Sequence, residues 1–542
     1  MRHTAVLVKG VLIGAAFASP CQTVSAQVPA SSVATPPPVR DLLIDPLMLS
    51  SVKEYRNIIA SVGAEIFPGW KANSVPILLY RPHVQELLIG APRRPAGFSV
   101  LTSPTLPFLR GETIYARNDS TVMAVDDQNT SITLDSMRVL VVADQYSRIR
   151  SQIRDLLGRP SEIANRRLDE WINVPSPYDE LQLLLHEAFH VHQHRLAPDK
   201  GADEGAVAHY PLLDPTNNAL VALEGRILSD ALLATDPVDR RTRIAEFVAV
   251  RTLRRAALDT ASASYEDLNE YSEGLGRYVE FRFMQIGERV KPTPEMYMHT
   301  GFTGYRGVLR KKLEGRVADI VRIASNSDNR FGNRYGGGPL RFRLYDMGAA
   351  QGLLLDDVAP NWKSRIFAPG VYLTDLLVEA MHLSLAQREA YVSQAKTRYG
   401  YDTLFANRQA FAAEGRRFIQ QRVDAILGTS KTLVTISYAA VGEKIGMGYT
   451  PFGVTAVTDH SAIYDLVPVA VRFANKVVLR MKSVVPLLVD RGERTVTFAV
   501  EAPPSAFEGM GAAGLDLAEF TLSASASTTI AISGSKVTIE LK

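Results

Sequence analysis

His186 and His190 flank Glu187 in the run His186-Glu187-Ala188-Phe189-His190, which fits the pattern H-E-x-x-H. On an α-helix, residues four apart leave the same face one turn from each other, so both imidazoles address one point. Two neutral imidazoles converging in this way suit Zn²⁺, which takes nitrogen and oxygen ligands and, in a catalytic site, keeps one position open for water. A carboxylate next to the first histidine is placed to take a proton from that water, the general-base half of amide hydrolysis. The chemistry depends on the run being helical.

The flanking residues supply that helix. Ser176 suits an N-cap, Pro177 the first helical position, and Asp179 completes an S-x-x-D capping box. Leu181, Leu184, Leu185 and Ala188 give the helix an apolar face, and Pro198 limits its end. A zinc site of this type needs a third protein ligand. No further histidine follows at helical spacing: His192 and His194 leave other faces of the helix. The third ligand is therefore expected to be a carboxylate from a downstream helix. Two glutamates, each followed by glycine, are candidates: Glu224, 34 positions after His190, and Glu273, 83 positions after it. Distance along the chain favours Glu224.

The stretch Glu273 to Glu280, reading Glu273-Gly274-Leu275-Gly276-Arg277-Tyr278-Val279-Glu280, resembles the N-E-G-F-A-x-Y-x-E segment of the gluzincin (peptidase MA-like) zinc metallopeptidases, neutral aminopeptidases among them. Glu273, Gly274, Tyr278 and Glu280 match position for position, while Leu275 replaces the aromatic and Ser272 the asparagine. The chain also resembles bacterial exported gluzincin-like proteins, in which a P-x-P segment leads into an H-E-x-F-H helix and an L-E-x-R-x-L helix lies between the two motifs. The resemblance covers about residues 165–290. It implies metal ligation by His186, His190 and Glu273, with Glu224 as the alternative third ligand, and Glu187 as general base. The family often adds a tyrosine or histidine from a later helix to the oxyanion site; Tyr345, before the small residues Gly348, Ala349 and Ala350, is the candidate here. Trp171, just ahead of the motif helix, is a candidate for an edge strand that binds extended peptide. No G-x-M-E-N segment is present, so aminopeptidase specificity does not carry over. S-x-x-K, G-x-S-x-G and P-loop spacings are missing too, which leaves rival catalytic chemistries without support.

The 542 residues carry a formal net charge of +3, with the basic residues spread along the chain, which gives no support to nucleic-acid binding. Arg2, His3 and Lys9, the apolar run from Gly10 to Ala18 and the small residues Val24-Ser25-Ala26 read as a signal peptide cleaved after Ala26. Cleavage would remove the only cysteine, Cys21, and with it any disulfide or zinc–thiolate site. No later apolar stretch is long enough to span a membrane.

Residues 27–39 read as a linker. Residues 40–427 are expected to form a zincin-like domain, with short strands to about 150 and mainly helices after it. Residues 428–542 read as a β-rich accessory domain. The expected fold class is thus α+β: a mixed sheet with a helical subdomain, followed by β structure. Asn326 to Gly338 reads as an exposed loop. The function expected is an exported, periplasmic or secreted, zinc metallopeptidase acting on a peptide or protein. The alternatives are a zinc-dependent hydrolase of a non-peptide amide and a catalytically inactive zincin-like binding protein.

Overall fold

The computed structural model describes residues 39, 41–71, 75–102, 109, 111–118, 129–157, 175–325, 333–442, 444–466, 468–474, 476–508, 514–523 and 528–542. The signal peptide, most of the linker and Trp171 lie outside the described residues. The described helices, in chain order, are α1 (Pro46–Ile66), α2 (Gln145–Leu157), α3 (Pro177–Leu196), α4 (Pro215–Leu233), α5 (Pro237–Arg255), α6 (Thr260–Asn269), α7 (Leu275–Ile286), α8 (Val308–Ala324), α9 (Gly337–Val358), α10 (Trp362–Arg365), α11 (Leu373–Met381), α12 (Leu385–Tyr399) and α13 (Tyr401–Leu427). The chain is mixed α and β with a β-rich C-terminal region, and divides into two compact units. None of the described helices is long and apolar enough to cross a membrane.

The first unit comprises the described residues up to Lys200 with Leu275–Arg316 and Asn361–Val371. Its sheet has the order β3-β4-β2-β1-β6-β5, from β1 (Ile77–Arg81), β2 (Gln85–Ile89), β3 (Ser99–Val100), β4 (Ile114–Arg117), β5 (Thr130–Leu134) and β6 (Met137–Ala143). β1 and β6 run parallel, Ile77 opposite Leu140, and the other pairs are antiparallel, so the sheet is mixed. The apolar runs of β1 and β6 explain their central places: Leu78, Leu79, Val139 and Val141 are all buried. Asp135 and Ser136 join β5 to β6, both with positive φ, the turn that suits the twist of a two-residue hairpin.

Helix α3 lies in the same unit. Its capping box is formed: the Ser176 backbone N–H donates to Asp179 Oδ2 at 3.2 Å and the Asp179 N–H donates to Ser176 Oγ at 3.4 Å. The helix is buried on nearly every side along Pro177 to Phe189, beyond the single apolar face expected. Aromatic rings pack around its second half. Phe67 meets Phe189 at 4.8 Å between centroids and Trp362 at 5.9 Å, and Tyr278 meets Trp362 at 5.3 Å. Such pairs add about 0.5–1.5 kcal/mol each beyond the area they bury, which makes α3 a rigid platform.

The second unit comprises Gly201–Gly274, Val317–Pro360 and Tyr372–Lys542. Its C-terminal part carries β7 (Thr432–Ser437), β8 (Gly446–Gly448), β9 (Val454–Ala456), β10 (Ser461–Tyr464), β11 (Ala470–Arg472), β12 (Val478–Met481), β13 (Leu487–Asp490), β14 (Thr495–Val500), β15 (Leu515–Asp516), β16 (Phe520–Leu522), β17 (Thr529–Ser533) and β18 (Lys536–Glu540). They form a seven-stranded sheet in the order β17-β18-β7-β14-β13-β10-β9 and a five-stranded sheet in the order β15-β16-β12-β11-β8. Val434, Ile436, Leu479, Val496, Phe498, Val537 and Ile539 share one core with Tyr210, Tyr265, Leu340 and Leu344 from the helical segments of the unit.

Gly337 and Gly338 depart from the exposed loop expected over Asn326 to Gly338: they begin α9 and are buried. A Cβ at Gly337 would lie 2.4 Å from the carbonyl oxygen of Pro451, and one at Gly336 would lie 2.8 Å from that of Val454. The glycines serve close backbone approach, not an open loop. Residues 326–332 lie outside the described residues.

Candidate metal centre

Helix α3 presents His186 and His190 on one face, their ring centroids 4.6 Å apart. His186 and Glu187 are each 1% exposed, and His190 is half-buried. His186 Nδ1 lies 2.7 Å from Glu280 Oε1. The carboxylate is held ionised: burial alone would raise its pKa, but Arg277 and the His186 hydrogen bond bring it below the usual carboxylate range. An ionised carboxylate only accepts, so Nδ1 carries the proton and Nε2 keeps its lone pair. His190 Nδ1 lies 2.9 Å from Gln193 Oε1, an acceptor that sets the same tautomer.

Glu273 arrives on the helical run from Thr260 to Ile286. α6 and α7 are joined there by a π turn, Glu270–Gly274, without a break in the backbone. The boundary between the two compact units falls in this run, between Gly274 and Leu275. Glu273 is thus covalently and helically continuous with Glu280, the partner of His186. A π turn inserts one residue into the helical repeat and shifts the side chains around it, a device common at functional sites. Two glycines make room for it: a Cβ at Gly274 would lie 2.7 Å from Gly348 Cα, and one at Gly348 would lie 2.8 Å from the Glu270 carbonyl oxygen.

His186, His190 and Glu273 each offer one ligand atom, all within 4.8 Å of one another. Ligands on a tetrahedral ion with bonds of about 2 Å stand about 3.4 Å apart, so small side-chain rotations close this set onto a metal. Gly276 adds a second sign of fit. A Cβ there would lie 2.8 Å from both Cε1 and Nε2 of His186, so glycine keeps the space beside that edge of the ring open. Two nitrogen donors and one carboxylate, each histidine with its other nitrogen engaged, match a three-ligand zinc site.

Glu224 is elsewhere. It is fully buried, with Oε1 accepting from Arg254 Nε at 2.6 Å and Oε2 from Arg251 Nη1 at 3.0 Å. Arg251 also donates to Glu270 at 2.6 Å, and Arg254 to Glu266 at 2.7 Å. Burial would lower both guanidinium pKa values, but the surrounding carboxylates hold them above the usual range. Glu224 is thus spoken for by two arginines, and the geometry brings Glu273 to the histidines.

Tyr345 sits buried in α9, its ring stacked on Phe342 at 5.4 Å and the Arg341 guanidinium 6.0 Å from its centroid. Arg341 in turn donates to Glu273 Oε1 at 2.8 Å. His192 packs its ring against Phe67, Phe189 and Phe367, and burial, helped by Arg195, pushes its pKa down to about 4. It is a neutral packing residue. Glu280 was matched by motif but given no role by sequence; its spacing of seven from Glu273 on one helical run was the available signal. Arg341 had no sequence signal at all. A cavity of about 930 Å³ lined by Leu253, Leu385, Val392 and Tyr401 contains none of these residues; volume alone does not mark the chemistry.

No family model matches the chain, and no curated protein or solved structure matches it either.

Proposed function

We propose that the chain is a zinc metallopeptidase of the gluzincin type, exported on the strength of its N-terminal pattern, that hydrolyses peptide bonds. The observation that carries this reading is the donor set of His186, His190 and Glu273 within 4.8 Å, with Glu187 on the same helix turn as His186. When bound, zinc would supply Lewis acidity and bring the pKa of a coordinated water toward neutrality. The remaining work falls to the protein. Glu187 accepts the proton of the attacking water and delivers it to the leaving amine. Glu280 and Gln193 hold the two imidazoles in the tautomer that exposes Nε2. The buried surroundings of α3 exclude bulk water and lower the local dielectric, which strengthens each of these interactions.

The test is Glu187→Gln in the full chain loaded with zinc. The variant is expected to bind zinc as the parent does and to lose hydrolysis of a peptide library, with chelation abolishing activity in the parent. Proteolysis that survives in Glu187→Gln sinks the assignment. The deep burial of Glu187 favours one rival, a zincin-like binding protein without turnover; a zinc-loaded parent that cleaves neither peptides nor non-peptide amides decides for it.

A further inference from the structure

The guanidinium of Arg341 is 1% exposed and lies among three acceptors. Its Nη2 donates to Glu273 Oε1 at 2.8 Å. Its Nη1 donates to Asn269 Oδ1 at 2.8 Å and to Glu204 Oε1. Each acceptor is held from behind. Asn269 Nδ2 donates to the Tyr265 carbonyl at 3.0 Å, so its oxygen is the atom that faces the arginine. Tyr265 Oη donates to Glu204 Oε2 at 3.3 Å. Glu204 begins a short 3₁₀ segment, Glu204–Ala208, whose Val207 is in the unit's core.

A cation bonded to a metal-ligand carboxylate has two opposed effects. It fixes the carboxylate rotamer, which favours binding, and it cancels negative charge at the site, which opposes binding of a second cation. Glu204 changes the balance. It offsets the charge of Arg341 from the side away from Glu273, so the fork can orient Glu273 without leaving the site short of negative charge.

Resting on the metal-site reading above, we propose that Arg341 is the positioning residue of the third ligand. It holds the Glu273 carboxylate in one orientation, and Glu204 is the counter-charge that preserves the site's affinity for a divalent cation. A structural ion pair would be indifferent to the metal; a positioning pair is not.

The experiment titrates the metal-free full chain with zinc alone, in competition with a chromogenic chelator, for the parent, Glu204→Gln, Arg341→Met and Arg341→Lys. Thermal unfolding of each metal-free protein is measured alongside. Glu204→Gln, which removes one partner of the pair with buried Arg341, is expected to lower the unfolding temperature of the metal-free chain and, in its folded fraction, to bind zinc about tenfold or more weakly. Arg341→Lys, which keeps the charge but not the fork, is expected to lose affinity as well. Cobalt(II) in place of zinc gives a spectroscopic reading. Arg341→Met releases the Glu273 carboxylate from the fork and is expected to shift the visible absorption bands away from those of the parent. Parent-like zinc affinity in Glu204→Gln, or parent-like affinity and cobalt spectrum in the Arg341 variants, overturns the proposal and leaves the metal site standing. A parent chain that binds no zinc overturns the metal-site reading, and this proposal with it.

Discussion

Gly276→Ala pits a small gain in helix stability against direct damage to the ligand face of His186. Gly276 lies in the first turn of α7, where alanine in place of glycine is ordinarily worth about 1 kcal/mol of helix stability. Here the new Cβ would stand 2.8 Å from Cε1, 2.8 Å from Nε2 and 2.9 Å from Nδ1 of His186, against 3.4 Å at the near edge of ordinary contact. Relief needs a displacement of about 0.6 Å. The imidazole cannot simply retreat, because Glu280 holds its Nδ1 at 2.7 Å and the His190 ring stands 4.6 Å away. Overpacking of this kind costs about 1–3 kcal/mol, so the metal-free protein is expected to lose between nothing and about 2 kcal/mol after the helix gain. The metal site is less forgiving. Ligand positions tolerate about 0.2 Å, a third of the displacement needed, and the methyl sits beside the nitrogen meant for the ion. Zinc affinity is expected to fall about 10–100-fold, the range set by losing a group that orients a ligand. The assay is chelator competition for zinc and chemical denaturation of the metal-free chain, side by side. A Gly276→Ala protein that is more stable than the parent and binds zinc equally well refutes both the packing argument and the claim that Nε2 of His186 faces a metal.

Glu224→Gln separates the two candidate third ligands. Breaking one partner out of a buried ion pair costs about 3–5 kcal/mol, so the variant is expected to unfold at lower denaturant while its folded fraction binds zinc like the parent; intact stability with lost zinc would return Glu224 to the metal. Acid stability gives a separate check on the first unit. Burial holds the pKa of His299 below its usual 6.5, and Ser50 Oγ lies 2.5 Å from its Nε2. Because the folded value is the lower one, the unfolded chain takes up the proton first as pH falls through 6.5, and stability is lost below that point. The slope of stability against pH below 6.5 is expected to be flatter in His299→Gln than in the parent, measured by denaturant midpoints; equal slopes would show that His299 titrates as it does in the unfolded chain.

Much of the site could be read from local sequence because its physics is local. Ser176, Pro177 and Asp179 start a helix through contacts three residues apart, and the four-residue spacing of His186 and His190 then puts both imidazoles on one face. Apolar runs such as Val139 to Val142 and Val537 to Leu541 are equally local features, and both fall on strands with buried side chains. Short strands escaped for the converse reason. Ser461–Tyr464 and Leu487–Asp490 pair side by side in the seven-stranded sheet, yet each is four residues long and carries little pattern of its own.

Glu224 and Glu273 look alike in sequence, each a glutamate before a glycine on a helix. Only the folded chain distinguishes them. Arg251 and Arg254 from α5 close over Glu224, while Glu273, beside the close approach of Gly274 and Gly348, is the one grouped with His186 and His190. Which carboxylate is left for a metal depends on where arginines 27 and 30 positions downstream of Glu224 come to lie, and no spacing within either motif encodes that. The hydrogen-bonded spacing along α3 sets the two nitrogens, whereas the ion pairs that occupy Glu224 come from segments whose meeting no local pattern encodes.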